Sequence, residues 1–253
     1  MWDDLACRDT LNSLININNP WNHCQLLAAQ ESHTAAWSEA FPIASIGNLL
    51  SPDELRIAIA LRTGAKIFES TKCCCGKIVD ELGLHGLPCT RNAGCFPRQS
   101  IINFILKRSL TRIGLPSTLE LVGLTNDGRR SNGLTLGPWY RGLSLVWDAR
   151  VVDTFSQGHY KDSARQAGSA ATKAEVTKCQ RYHDLQSNYH FQPVAIETTG
   201  VYGKSTTPFL SGLTGSRELG IERSRSFLCL FIIFTAQKCP FHQSSVSLKC
   251  PYS

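Results

Sequence analysis

The 253 residues carry 42% hydrophobic and 18% charged side chains, ordinary proportions for a folded protein, which exclude wholesale disorder. That length accommodates one large domain, or a small module joined to a core of about 150 residues. The formal charge of +6 is unevenly placed: Arg98, Lys107, Arg108, Arg112, Arg129, Arg130, Arg141 and Arg150 face only Glu120, Asp127 and Asp148 in the same stretch, which suits a phosphate-bearing partner or a solvated face.

Eleven cysteines raise the prospect of a secreted disulfide protein. However, Met1-Trp2-Asp3-Asp4 has neither the basic start nor the apolar stretch of a signal peptide. The adjacent Cys73, Cys74 and Cys75 suit metal ligation better than a disulfide lattice. The longest apolar run, Phe227 to Phe234, falls well short of the ~20 residues that span a bilayer. The expectation is a soluble intracellular protein with no membrane partner, nuclear if it works on DNA.

In chain order, the pattern allows a helix around Gln25–Trp37. A second helix opens at Ser51-Pro52-Asp53-Glu54, with Ser as N-cap, Pro at the first helical position and Glu closing a capping box; Gly64 can end it. Cys73 to Cys95 is Gly-punctuated and too short for its own apolar core. Ile101, Ile102, Ile105, Leu106 and Ile113 then recur at helical spacing up to Gly114 and Pro116. Thr118–Val122 reads as a strand, Thr125–Gly128 as a turn, Gly133–Leu136 as a short strand and Leu143–Val152 as a longer one. A polar, Ala-rich helix is expected from Lys161 to Leu185, followed by a buried strand over Phe191–Glu197 and a short helix beyond Gly203.

Cys73, Cys75, His85 and Cys89 supply three thiols and one imidazole within 17 positions, the donor set of a closed tetrahedral zinc site. Metal binding supplies folding free energy where a loop lacks a hydrophobic core. The spacing of the first pair is tighter than usual, and Cys74 and Cys95 are alternative ligands; reduced thiols in a loop are the competing reading. Cys239, His242 and Cys250 are a weaker second set. Gly200-Val201-Tyr202-Gly203-Lys204-Ser205-Thr206 imitates a phosphate-binding loop, but Thr198 stands where the first glycine is required, so a glycine-rich turn is expected.

The order helix, three strands, helix, strand resembles the core of the restriction-like PD-(D/E)XK nucleases. Such sites use two carboxylates to hold Mg²⁺ while a nearby lysine helps to activate water. On the third strand stands Asp148-Ala149-Arg150, with Arg150 where lysine is expected; a guanidinium stabilises negative charge but does not deprotonate water. The second strand should bring an acid near position 132 and brings Asn132. Glu120 or Asp127 would then have to assist, with Lys178 as an alternative basic partner. A plain surface ion pair at Asp148 is the competing reading.

Several motifs together resemble the region after the reverse transcriptase in open reading frames of non-LTR retrotransposon type. They are Cys73-Cys74-Cys75-Gly76, Gly83-Leu84-His85-Gly86-Leu87-Pro88-Cys89, Asp127 through Thr135, Trp147-Asp148-Ala149 and Glu197 through Gly203. The resemblance runs from about Trp37 to Gly203. It implies a Cys/His knuckle with structural Zn²⁺ before a restriction-like endonuclease that nicks DNA with Mg²⁺. The family has Pro-Asp at Ser131-Asn132 and Arg-His at Arg98-Gln99, and its continuation is lost beyond Leu213. The expectation is therefore an α/β protein with a helical segment over 1–70, a knuckle over 71–96, an endonuclease-like core over 97–215 and a divergent tail over 216–253. Arg98, Lys107, Arg108, Arg129 and Arg130 are the expected phosphate contacts, DNA being favoured over RNA. A degenerate nucleic-acid-binding domain, or else a functionless remnant, is favoured over an active nickase, because Asn132 removes a charge where Mg²⁺ needs one.

Overall fold

A computed structural model describes residues 20–39, 49–66, 68–73, 75–87, 95–124 and 130–214, with isolated positions at 9, 10, 13, 42, 89, 91 and 128. Phe227–Phe234, Cys239, His242 and Cys250, and with them the tail from 216, lie outside the described residues, as do Cys74, Asp127 and Arg129.

Two helices, α1 (Pro20–Gln30) and the single turn α2 (Ala36–Glu39), are joined by a 3-10 turn at Ser32–Ala35. The expected continuous helix therefore breaks at Glu31, where Thr34 turns its hydroxyl back onto the carbonyls of Ala28 and Glu31. Helix α3 (Pro52–Thr63) starts where the sequence places it and ends at Gly64 with φ 71°, the left-handed residue that terminates helices. Ile57 and Ala58 face inward, whereas Leu55 and Ile59 stay exposed.

The core is one four-stranded sheet ordered β3 (Ser117–Leu121), β4 (Ser131–Tyr140), β5 (Leu143–Val152), β6 (His190–Glu197). The first two pairings are antiparallel and β5–β6 is parallel, so the sheet is mixed. Parallel pairing requires a crossover, which helix α6 (Ser169–Arg181) supplies. Helix α4 (Cys95–Arg112) and helix α7 (Thr206–Thr214) cover the other face. There Ile102, Leu106 and Leu110 meet Leu145, Trp147, Val194, Ile196, Phe209 and Leu213. Toward α6, Val146 and Leu134 pack with Tyr182, Leu185 and Phe191. β5 is buried on both faces from Leu145 to Ala149, as expected of a strand with a parallel neighbour inside an α/β layer.

Two sequence expectations need correction. The second strand is ten residues long rather than four, because it pairs on both sides. The helix expected from Lys161 to Leu185 is three pieces: a turn, α5, at Tyr160–Ser163, then α6, then a 3-10 turn at His183–Ser187. The break falls at Gly168, whose φ of 77° and approach to the Tyr202 carbonyl (2.8 Å for an added Cβ) admit no side chain.

Gly133 has a packing role that its strand position conceals. A Cβ there would lie 2.0 Å from the Trp147 ring, so the indole occupies the space that any side chain needs. Gly133→Ala is expected to cost about 1–3 kcal/mol through overpacking, read as a lower denaturation midpoint; an unchanged midpoint would show that the ring is free to move aside.

The outer edge of β6 is covered by the stretch that imitates a phosphate loop. Tyr202 forms an antiparallel bridge to Ile196, Gly203 donates to the Ala195 carbonyl (3.0 Å), and the Thr206 hydroxyl accepts from the Ala195 amide (2.9 Å). This shields an edge that would otherwise invite pairing with another chain. The Glu175 carboxylate, reaching from α6, accepts from the amides of Ser205 and Thr206 at 2.9 Å each. A protein carboxylate thus holds the helix N-terminus that a phosphate would need, and the glycine-rich turn is structural. A Cβ at Gly203 would lie 2.2 Å from the Glu175 carboxylate, which would have to move aside for it.

Candidate functional site

The knuckle is built on a two-stranded hairpin, β1 (Thr71–Lys72) and β2 (Ile78–Val79), closed by the Cys73 amide on the Lys77 carbonyl and the Gly76 amide on the Cys73 carbonyl, both 2.8 Å. Gly76 at φ 87° makes the tight return. A 3-10 turn at Leu84–Gly86 brings His85 alongside, its first amide satisfied by the Asp80 carboxylate at 3.1 Å. The ligand atoms of Cys73, Cys75, His85 and Cys89 then lie within 4.8 Å of one another. Cys73 Sγ and Cys89 Sγ are 3.7 Å apart, and Cys75 Sγ is 3.2 Å from His85 Nε2.

Zinc–sulfur bonds of about 2.3 Å at tetrahedral angles put two sulfurs about 3.8 Å apart, so the Cys73–Cys89 separation is that of a tetrahedron edge. All three thiols are free rather than disulfide-linked. Burial pushes the Cys73 thiol up, but hydrogen bonding from the Cys75 amide and from Cys75, His85 and Cys89 outweighs it and the net shift is downward; burial pushes Cys89 up. The donor set and its geometry fit a metal ion such as zinc.

The knuckle is tied to the rest of the protein. Leu84 and Leu87 join a cluster with Cys24 and Phe155, against which Trp21, Leu82 and Tyr160 also pack. Trp21 stacks on Tyr160 with ring centroids 5.1 Å apart. Arg98, near the start of α4, donates to the Leu87 carbonyl at 2.7 Å. Arg98, expected as a phosphate contact, is 4% exposed.

On the α6 side of the sheet, Asp148 and Lys178 form an ion pair at 2.5 Å, with side chains 6% and 12% exposed. Burial lowers the Lys178 pKa, Asp148 opposes that, and Arg150 and Arg181 reinforce it. The β4–β5 register pairs Leu134 with Val146 and Gly133 with Trp147. Asn132 and Asp148 thus stand on neighbouring strands, but the Asp148 carboxylate is held by Lys178 from α6, whereas the Asn132 side chain is met by Gln99 from α4. The Asn132 carboxamide oxygen is already engaged, accepting from the Ala149 amide at 2.6 Å and from Gln99 Nε2 at 3.2 Å. Gln99 Nε2 also donates to the Ala149 carbonyl at 3.0 Å.

Among the described residues, Arg150 lies close enough to lower the Lys178 pKa, but the other predicted residues are not gathered there. Glu120 sits on edge strand β3, exposed, at φ 56° and skipped by the ladder between Leu119 and Leu121, with the whole of β4 between it and β5. Arg150 is exposed two residues beyond Asp148. Arg130 is exposed, and its carbonyl accepts the Tyr182 hydroxyl at 2.8 Å. Lys107 and Arg108 are half-buried and exposed respectively, and lie on the order of 12 Å along α4 from Gln99 at 1.5 Å per residue. Among the described residues, the Cys/His cluster is the only grouping of three or more His, Cys, Asp or Glu that suits a metal. One carboxylate held by an ammonium, beside an amide oxygen with two donors already on it, does not fit Mg²⁺.

Sequence reasoning named Gln99 only as a departure from a family pattern and overlooked Glu175 and Glu197. Glu197 closes β6, buried, accepting from the Ala170 amide at 2.9 Å and the Thr154 hydroxyl at 3.1 Å; burial raises its pKa and those bonds oppose the rise. An acid directly after the apolar run Pro193–Ile196 was the available signal for it. No helix among the described residues is long and apolar enough to cross a membrane. No protein-family model matches the chain, and no curated protein matches it.

Proposed function

We propose that this chain is a retroelement-derived nucleic-acid-binding protein in which zinc fastens a Cys/His knuckle to a degenerate endonuclease-like core. One observation carries the reading: a Cys/His cluster precedes a mixed four-stranded sheet whose neighbouring strands β4 and β5 bear Asn132 and Asp148. The element order and the placement of a lysine against Asp148 support the same ancestry. Zinc, when bound, supplies structural cross-linking: Cys73, Cys75, His85 and Cys89 hold it and leave no open position for a substrate.

Duplex DNA is the preferred partner. Binding measured at stepped salt should weaken steeply as backbone contacts release counterions; absence of binding overturns the reading in favour of a functionless remnant. The active-nickase alternative draws on Lys178, whose lowered pKa suits proton handling beside a scissile phosphate. Supercoiled plasmid with Mg²⁺ separates the two: the wild-type chain should leave it intact, and nicking abolished by Asp148→Ala would establish the alternative.

Asn132→Asp is the sharper test of ancestry. An aspartate keeps an oxygen for the Ala149 amide and for Gln99 and adds a negative charge on the strand next to that of Asp148. The variant should gain Mg²⁺-dependent nicking of about tenfold or more over background, roughly 1.4 kcal/mol in barrier. No gain in a folded variant counts against an ancestral metal site at this position.

A further inference from the structure

Between the knuckle and the end of β5 lies a cavity of about 260 Å³, lined by Leu87, Arg98, Gln99, Arg150, Asp153 and Thr198. A water occupies about 30 Å³ of liquid and ligand pockets begin at about 300 Å³, so this space holds a phosphate group with part of a sugar rather than a whole cofactor. Two guanidiniums face one carboxylate. The Asp153 carboxylate is engaged by the protein, its Oδ1 accepting from the Phe155 amide at 3.2 Å and the Thr198 hydroxyl at 3.4 Å. Burial raises its pKa, and Arg98 is among the groups opposing the rise. The excess charge of the cavity is therefore positive.

Arg98 and Arg150 differ in a way that suits two parts of one subsite. Arg98 is fixed, buried and anchored on the Leu87 carbonyl, so little freedom remains for a ligand to remove. Arg150 is exposed, yet close enough to Lys178 to lower its pKa. It thus connects the cavity with the Asp148–Lys178 pair. Leu87 forms the knuckle's side of the wall and lies between His85 and Cys89, two of the four metal-binding side chains.

We propose that this cavity binds one backbone phosphate of a nucleic-acid strand, with Arg98 at its floor and Arg150 at its mouth. The inference rests on the nucleic-acid-binding reading above and specifies where that strand is gripped. Planar guanidiniums match phosphate oxygens in pairs, which a lysine does not reproduce.

The test uses the full, zinc-replete chain and a labelled duplex oligonucleotide. Arg150→Gln, at an exposed position, should lower the slope of log K against log salt by about 0.9, the share of one phosphate contact. In ¹⁵N spectra the same duplex should shift the side-chain signals of Arg98 and Arg150 together. Inorganic phosphate at the same phosphate concentration should shift neither, since it lacks the flanking contacts of a strand. A slope unaltered in Arg150→Gln, or duplex shifts at Arg150 without Arg98, overturns the subsite while leaving nucleic-acid binding intact. Shifts with inorganic phosphate and none with duplex overturn the strand assignment. A wild-type chain that binds no duplex overturns the functional reading and this subsite with it.

Discussion

Removal of the knuckle's metal is expected to lower the melting temperature by roughly 8–16 °C. Ligand binding to the native state alone stabilises by about 4.1 kcal/mol at a thousandfold excess over Kd, and each kcal/mol moves the midpoint of a chain this size by about 2–4 °C. The effect reaches beyond the hairpin. Leu84 and Leu87 pack with Cys24 and Phe155, and Arg98 holds the Leu87 carbonyl, so a knuckle that opens also uncovers α1 and the start of α4. Metal analysis of purified protein should give about one zinc per chain, and Cys89→Ser should reproduce the effect of a chelator. A chain that purifies without metal and melts at the same temperature with a chelator refutes the site. Uptake should fall with acidity, because the three thiols must be deprotonated to ligate.

Asp148→Ala is expected to cost about 3–5 kcal/mol, or roughly 6–20 °C in melting temperature, because it leaves the Lys178 ammonium buried without a counter-charge. Replacing both partners by apolar residues of similar volume, Asp148→Leu with Lys178→Met, should restore most of that loss. The pH dependence has a definite sign. Burial already lowers the Lys178 pKa and Asp148 opposes it, so the single variant should depress it further. A lysine with a depressed folded pKa takes up a proton more readily when unfolded, so its destabilisation is full below the folded pKa. The Asp148→Ala deficit should shrink as pH rises from the folded value toward 10.5, the ordinary lysine value. A deficit that is constant across that window, or a double variant as unstable as the single one, would show that the pair is not the source. Denaturant melts of the three proteins from neutral to alkaline pH decide it. Because these readouts are stability alone, they stand apart from any nicking activity.

Much of the architecture was readable from local pattern. The apolar spacing of Ile102, Ile105 and Leu106 reports one-sided burial, and the apolar run through Trp147 reports burial on both faces. Gly64 marks a helix end through its backbone freedom, and it does so in the structure. The metal cluster was legible because four strong ligands so close in sequence need only one hairpin and one turn to converge. These features are short-range, and their physical causes lie within a few residues of their effects.

What the chain alone determined is therefore the inventory: a Cys/His set within reach of itself, the succession of helix and strands, and Asn132 and Asp148 on consecutive strands. Tertiary structure decided how that inventory is used. Gln99 reaches Ala149 across 50 residues, and Glu175 reaches Thr206 across 31. No local periodicity encodes such meetings. They settle that Arg98 lies beneath the knuckle, that the glycine-rich turn is closed by a carboxylate, and that the Asn132 oxygen is engaged by the protein. A residue's type limits what it can bond, but its partners are fixed by which distant segments the packed sheet brings alongside it.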